Sequence, residues 1–391
     1  MSQATFQSPL HDLHEQRDAF FLPYGTEEHH SAVVETFGDL DMEYAALRKG
    51  CVIFDEPHMG TIEIAGPDRL PFLNNMLTAK ADDLTPGTNR WNFWLNRKGR
   101  IDADLRLAET TDRMLVRVDR HLAKATATTL ESFIFAEDAS ITDASETHHR
   151  LALHGPQSPA LLTAALGPIS ALDTLQSNQN ITADFQGAPL LIERDDLCAE
   201  IGLALTIPTD HTRPLYQALL NAAETDATLK ARPCGWMAIN AARIEAGHPL
   251  FNLDFGPTNL PVESGIIEQR VNFTKGCYLG QEVVARMYSR GACNKKIVAL
   301  RIEDQRITPE HTEILQPTTG SQVFEAGKET QTPVGVVTSS TISPMLGAIP
   351  ICFAMIKSSH FEPGTSLSVS AEGAIVKATV QESLTFYNRH N

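Results

Sequence analysis

Cysteine is scarce in this chain. Six residues, Cys51, Cys198, Cys234, Cys277, Cys293 and Cys352, are scattered through 391 positions. No two of them form a CxxC pair, which excludes zinc-ribbon and thioredoxin-like readings. The start, MSQATFQSPLHDLHEQ, is polar and has no apolar core of a secretory signal. Free thiols in a reducing, cytoplasmic setting are therefore expected. Long apolar runs are also missing. The longest, 345–356, spans 12 residues and contains a proline, whereas a membrane helix needs about 20. That run predicts a buried strand pair around a turn, and no membrane partner is expected. Positive charge is in deficit: 32 Lys+Arg against 48 Asp+Glu leave a net charge of −16. Binding to a phosphate backbone rests on Lys and Arg, so no direct contact with nucleic acid is expected.

Several motifs are absent. No GxGxxG follows a strand-like segment, and Gly327-Lys328 is followed by Glu329 instead of the Ser or Thr of a phosphate loop. There is no HExxH. The pairs His29-His30 and His148-His149 are adjacent, so their side chains diverge, and no metal site is expected.

What is present is an ordinary globular composition, 42% hydrophobic and 20% charged. The length suggests two or three domains and a core that needs no staples. The first ~45 residues are polar and predict an extension packed on the core. TIEIAG (61–66) alternates like a strand, and Pro67 opens a helix with Leu70, Leu73 and Leu77 on one face. Segments 90–96, 114–119, 151–156, 189–194 and 201–208 read as strands, and 121–133 and 158–166 as helices. Thr212 is expected to cap a further helix with Pro214 two residues in and the stripe Leu215, Ala218, Leu219, Ala222. The helix 236–245 should end at Gly247. Strands and helices mix without βαβ regularity, which predicts an α+β fold. After about residue 292 only short strand-like segments remain, predicting a small barrel or sandwich. The expected division is 1–45, 46–291 and 292–391.

Two clusters could carry chemistry. In the stretch 272–282, Cys277 sits in a loop bracketed by Gly276 and Gly280, which permit positive φ or close approach. A helix begins at about Gln281 and Lys275 is two residues away. Both features favour a thiolate. From these residues alone the commoner reading is a buried cysteine packed by Tyr278, and the other is a reactive or ligand-sensing thiol. The second cluster holds Arg243 and Glu245 near a helix end and Glu263 after a proline. These side chains suit a structural ion-pair network. That is the commoner case, but they can also bind a polar heterocycle, with carboxylate on an amino-pyrimidine and Arg on an anionic tail.

Read together, the clusters carry a family resemblance. KGCYLGQE (275–282) resembles the signature of the folate-binding YgfZ family, the iron–sulfur maintenance branch of the glycine-cleavage T-protein (aminomethyltransferase) superfamily. The blocks 47–78, LNRKGR (95–100), HGPQSP (154–159), RIEAG (243–247), LPVESG (260–265) and VGVVTSSTISPMLG (334–347) are similar to superfamily blocks in the same order. The resemblance implies a T-protein-like folate-binding cloverleaf closed by a small antiparallel β-barrel, with tetrahydrofolate or a derivative as ligand. It implies a folate-binding accessory protein more than an enzyme. Its partners would be iron–sulfur client enzymes or assembly factors, including tRNA-modifying clients. Cys277 would be the functional thiol, with Lys275 beside it. A single Cys cannot hold a cluster, which usually takes four thiolates. CAEIGLALTIP (198–208) resembles the turn that carries the pterin-binding Glu, so Glu200 is the candidate there. Asp119 stands where T-proteins usually have Asn. Arg243, Glu263, Tyr278 and Gln281 complete the folate candidates, and Arg90, Arg97, Lys98, Arg100 and Arg243 are the expected basic surroundings of the glutamate tail. One departure stands out. Aligned on Leu95 and Leu105, the catalytic Asp of T-proteins falls on Ala103. Asp102 and Asp104 flank it, but consecutive strand residues face opposite ways. A one-residue shift would put Asp102 there, which leaves an alternative: a folate-dependent aminomethyl- or methyltransferase with Asp102 as acid/base.

Overall fold

The computed structural model describes residues 4–290, 293–303 and 314–388. The expected boundary near residue 292 falls outside the described residues. The chain divides into two compact units, each drawn from separate stretches. The first comprises Met1–Trp94, Ala103–Ile239 and Asn272–Leu279; the second comprises Leu95–Asp102, Asn240–Val271 and Gly280–Asn391. Among the described residues no helix is long and apolar enough to cross a membrane.

The first unit is built on two larger sheets. One has six strands in the order Asn180–Phe185, Ala188–Arg194, Gly202–Pro208, His148–His154, Cys51–Asp55, Ala231–Cys234. Alternation sends Leu151, Leu153, Leu203, Leu205, Ile53 and Ile192 to one face. There the helices Ser158–Leu166 and Thr209–Thr225 cover them through Leu161, Leu162, Leu215 and Leu219. Leu10 joins this core. The segment around it also holds a three-stranded sheet, Ala4–Phe6, His29–Thr36 and Phe20–Gly25. The other large sheet has five strands in the order Asn89–Leu95, Ile101–Glu109, Arg113–Asp119, Met59–Ala65, Ser140–Asp143. Its apolar face carries Ile62, Ile64, Leu105, Leu107, Val116 and Val118 against the helices Arg69–Met76 and Arg120–Glu131.

The residues that alternate away from these apolar cores are charged, and they form a buried ionic layer. Arg106 Nε and Nη1 donate to Glu193 and Asp195 at 3.2 and 3.1 Å. Arg117 pairs with Asp195. Arg150 donates through Nε to Glu56 at 3.4 Å and through Nη1 to Glu193 and Thr206 Oγ1 at 3.0 Å each. The guanidiniums of Arg106 and Arg117 lie over the Trp91 ring, 5.2 and 4.6 Å from its centre. Buried charges persist only when paired and hydrogen-bonded. Here Arg106, Arg117 and Arg150 face Glu56, Glu193 and Asp195. Two buried imidazoles, His58 and His154, border the same charges.

The second unit contains a closed, antiparallel six-stranded barrel, in the order Lys295–Ile302, Ile349–Lys357, Gly335–Ser343, Gln322–Glu325, Ser366–Ala371, Ala374–Val380. Barrel is thus decided over sandwich, and the α+β class holds. The apolar run 345–356 is one strand, not two. Ser343 and Gly347 frame a single turn of 3-10 helix at Pro344–Leu346, and Ile349–Lys357 follows, buried on both faces. A strand buried on both faces reads as a continuous apolar run. Thr212 is not a cap either. The helix starts at Thr209, and Thr212 lies buried within its first turn. Pro214 misled the placement: it stands inside the helix, sixth from its start, where its missing N–H leaves the carbonyl of Asp210 without the usual intrahelical donor. Gly247 does end its helix, at φ +85.

Burial pushes His58 from 6.5 down to about 4, and lowers His154 as well. Both are held neutral in the fold and take up protons on unfolding, so below pH ~6.5 the unfolded chain binds more protons and stability falls as pH falls. From pH ~6.5 to ~5, His58 alone is expected to remove about 2 kcal/mol. Denaturant unfolding near neutrality and near pH 5 measures this. His58→Gln should lose that share of the pH dependence, and an unchanged slope would contradict the assignment.

Candidate functional site

In the first unit, the turn 195–201 joins two strands of the six-stranded sheet. It is closed by Asp195 N donating to Gly202 O at 2.8 Å, Ala199 N to Asp196 O at 3.1 Å and Gly202 N to Asp196 Oδ1 at 2.9 Å. These bonds hold Ala199 at φ +59, a left-handed conformation that a Cβ disfavours. Glu200 follows directly and is buried. Its Oε1 lies 3.5 Å from Arg48 Nη1. Arg48 Nη1 also donates to Cys198 O at 2.7 Å, and Nε donates to Tyr44 Oη at 3.0 Å.

Asp119 ends the strand Arg113–Asp119, in register with Met59. It is buried and accepts from Tyr24 Oη at 3.4 Å. The Tyr24 ring lies 4.5 Å from His58 and 5.7 Å from Trp236. The first unit therefore carries two buried candidate carboxylates, Glu200 and Asp119. Arg48, Tyr24, His58 and Trp236 were not expected. They lie on segments far from their partners in sequence, and no local pattern marks them.

The cysteine loop is anchored at the end of the helix Arg69–Met76. Asn272 N donates to Thr78 O at 3.0 Å. Asn272 Oδ1 accepts from Thr274 N and Lys275 N at 2.8 and 2.9 Å. Lys275 Nζ donates to the carbonyls of Asn74 and Leu77 at 2.5 Å each and of Ala79 at 3.0 Å. A cation there suits the carbonyl end of a helix. Sequence spacing assigned this lysine to the thiol; the structure assigns its three donors to three carbonyls. Burial pushes its ammonium down to about 8. Tyr278 is buried with its ring 5.3 Å from Lys275 Nζ, and burial pushes its phenol up to about 12. Cys277 itself is exposed, so the packed-cysteine alternative does not hold. Cys51, Cys198, Cys234 and Cys352 are buried. Burial pushes Cys51 and Cys352 up to about 12, which makes them poor nucleophiles.

The remaining candidates belong to the second unit. Asp102 accepts from Asn96 Nδ2 at 2.8 Å, and burial nevertheless pushes its carboxyl up. Its neighbour Ala103 packs with Leu105 and Leu107 in the apolar core of the five-stranded sheet. Asp102 and Asp104, half-buried, alternate to the face opposite Ala103. Arg243 is 0% exposed. It donates to Asp254 Oδ2 at 2.7 Å, Asn240 Oδ1 at 2.9 Å, His248 O at 3.0 Å and Ser339 Oγ at 2.7 Å. It is a structural pair inside its unit and not the reader of an anionic tail; removing one partner of such a pair leaves a buried uncompensated charge. Glu245 is buried and accepts from Ser343 Oγ. Glu263 Oε2 accepts from Asn259 Nδ2 at 2.7 Å and Leu260 N at 3.3 Å, which ties down the proline turn. Gln281 opens the helix Gln281–Arg290, after Gly280 at φ +81. Arg97, Lys98 and Arg100 are exposed on a tight turn closed by Asn96 Oδ1, which accepts from Lys98 N and Arg100 N at 3.0 and 3.2 Å.

Comparison with known proteins places this arrangement. Residues 10–275 match the GCVT N-terminal domain, and residues 295–388 match the glycine cleavage T-protein C-terminal barrel domain. An aminomethyltransferase of Saccharopolyspora erythraea is 30% identical over 390 residues, covering 98% of each chain. One from Bacillus subtilis is 27% identical over 396 residues, covering 98% of this chain and 99% of that one. The crystal structure of glycine cleavage system aminomethyltransferase T from Bartonella henselae superposes with a TM-score of 0.83 over 98% of both chains at 23% identity, which speaks for the fold. With both domains matched and relatives aligned end to end, the chain belongs to the glycine cleavage T-protein family.

Proposed function

We propose that this chain binds tetrahydrofolate or a derivative in the first unit, through Glu200 with Asp119, and works in folate-dependent aminomethyl or methyl transfer of the T-protein type. The observation that carries this reading is the match of both domains, 10–275 and 295–388, together with relatives named aminomethyltransferase along the whole chain. Aminomethyltransferases of this family use tetrahydrofolate. The donor set agrees with such a ligand. An ionised carboxylate accepts two adjacent N–H donors, the pattern at the amino-pyrimidine edge of a pterin. Glu200 is a buried carboxylate with its charge compensated by Arg48. The cytoplasm is the proposed setting.

Ala103 can neither hold nor pass a proton. In the transferase reading Asp102 is the remaining acid/base, and its upward-shifted carboxyl suits a general acid. A general acid/base contributes about 10²–10⁴-fold.

A second reading rests on Cys277. It is an exposed thiol on an anchored loop in a KGCYLGQE segment. This is the YgfZ-like reading: a folate-binding accessory protein that supports assembly or repair of iron–sulfur clusters in client enzymes, with tRNA modification affected indirectly.

Glu200→Gln is expected to weaken tetrahydrofolate binding by about 2 kcal/mol, as loss of a charge-assisted hydrogen bond does; an unchanged dissociation constant would remove Glu200 from the site. Incubation with tetrahydrofolate and an aminomethyl or methyl donor should yield methylene- or methyl-tetrahydrofolate. Asp102→Asn should slow that turnover by about 10²-fold or more, and no product from the unaltered chain would sink the transferase reading. Cys277→Ala should leave that turnover intact. If that variant instead fails to restore iron–sulfur enzyme activities in cells lacking their own copy, while the unaltered chain restores them, the accessory reading prevails.

A further inference from the structure

We infer that Arg48 is a positioning residue for Glu200 and sets the folate affinity of the turn that carries it. This inference rests on the folate reading of Glu200. Arg48 stands in the last turn of the helix Leu40–Lys49, 150 positions from Cys198 in sequence. Its own helix locks it. Nε donates to Tyr44 Oη, four residues earlier, at 3.0 Å, and the guanidinium lies 5.2 Å from the centre of the Tyr44 ring. A planar fork held in this way presents its other donors in one fixed direction.

That direction is the turn, where Arg48 makes two contacts with different consequences. The bond from Nη1 to Cys198 O, at 2.7 Å, fixes the backbone just before Ala199. Ala199 holds φ +59, a conformation that persists in a residue with a Cβ only when its surroundings over-determine it. The same Nη1 lies 3.5 Å from Glu200 Oε1, with the two side chains 5% and 1% exposed. A carboxylate this deep needs a paired positive charge. Removing the guanidinium takes away a charge that offsets this buried carboxylate and the donor that aims Oε1, an acceptor for the N–H donors of the folate ring. One guanidinium therefore supplies both the orientation and the charge on which recognition by Glu200 depends.

The test is calorimetric titration of the full chain with tetrahydrofolate under anaerobic conditions, in five forms: unaltered, Glu200→Gln, Arg48→Met, Arg48→Lys and the double variant Arg48→Met/Glu200→Gln. Arg48→Met should raise Kd by about tenfold or more. Arg48→Lys should recover part of the loss, because an ammonium restores the charge but not the fork. In the Glu200→Gln background, Arg48→Met should cost less than it does in the unaltered chain, since the ion pair is already gone and the bond to Cys198 O is still lost. Additive losses, or an unchanged Kd in Arg48→Met, would overturn the positioning inference while leaving Glu200 in place. An unchanged Kd in Glu200→Gln alone would instead overturn the folate reading itself. If Arg48→Met does not fold, Arg48→Lys decides the matter: a raised Kd supports the need for the fork, and a Kd equal to that of the unaltered chain contradicts it.

Discussion

The first unit depends on the pairing of Arg106, Arg117 and Arg150 with Glu56, Glu193 and Asp195. Each large sheet has an apolar face covered by helices, and the alternation that builds those cores sends these charged residues the other way. Taking an ion out of water costs several kcal/mol even after relaxation. The layer therefore constrains the sheets to a register in which every charge meets its counterpart. His58 and His154 lie beside the same charges, and burial drives both toward the neutral form against the pull of the neighbouring carboxylates.

The candidate groups of this unit are held by the same kind of constraint. Glu200 is tied to Arg48 and the Cys277 loop is tied to a helix end by Lys275, in each case by a cation that reaches a segment far away in sequence. In the second unit, Arg243 and Asp254 repeat the device wholly inside the core. Arg48, Lys275 and Arg243 thus serve as internal ties, which for Arg243 differs from the ligand-facing role that the resemblance implied.

Much of the fold was legible in the sequence, and for identifiable reasons. The helix expected at 158–166 is found as Ser158–Leu166, because proline entry and an apolar stripe are local signals. The barrel strands follow from period-two patterns separated by turn residues. The end of a helix at Gly247 follows from the positive φ that only glycine adopts at little cost. The misplaced cap at Thr212 and the single strand at Ile349–Lys357 show the limit: composition marks a region without fixing its boundary. The site was legible only in part. Glu200, Asp119 and Cys277 could be singled out by resemblance. The partners that fix them, Arg48, Tyr24 and the carbonyls that hold Lys275, are brought together by long-range packing that no local pattern records. Ala103 is the informative departure. The position at which the resemblance expects a carboxylate is a core alanine here, so binding of the folate and chemistry upon it are separable questions for this chain.

The central claim is that the chain is a folate protein whose first unit holds the ligand. The most direct measurement is anaerobic titration of the full chain with tetrahydrofolate, read by calorimetry. The account predicts saturable binding with one site per chain. A titration with no saturable heat, on protein shown to be folded, would contradict it.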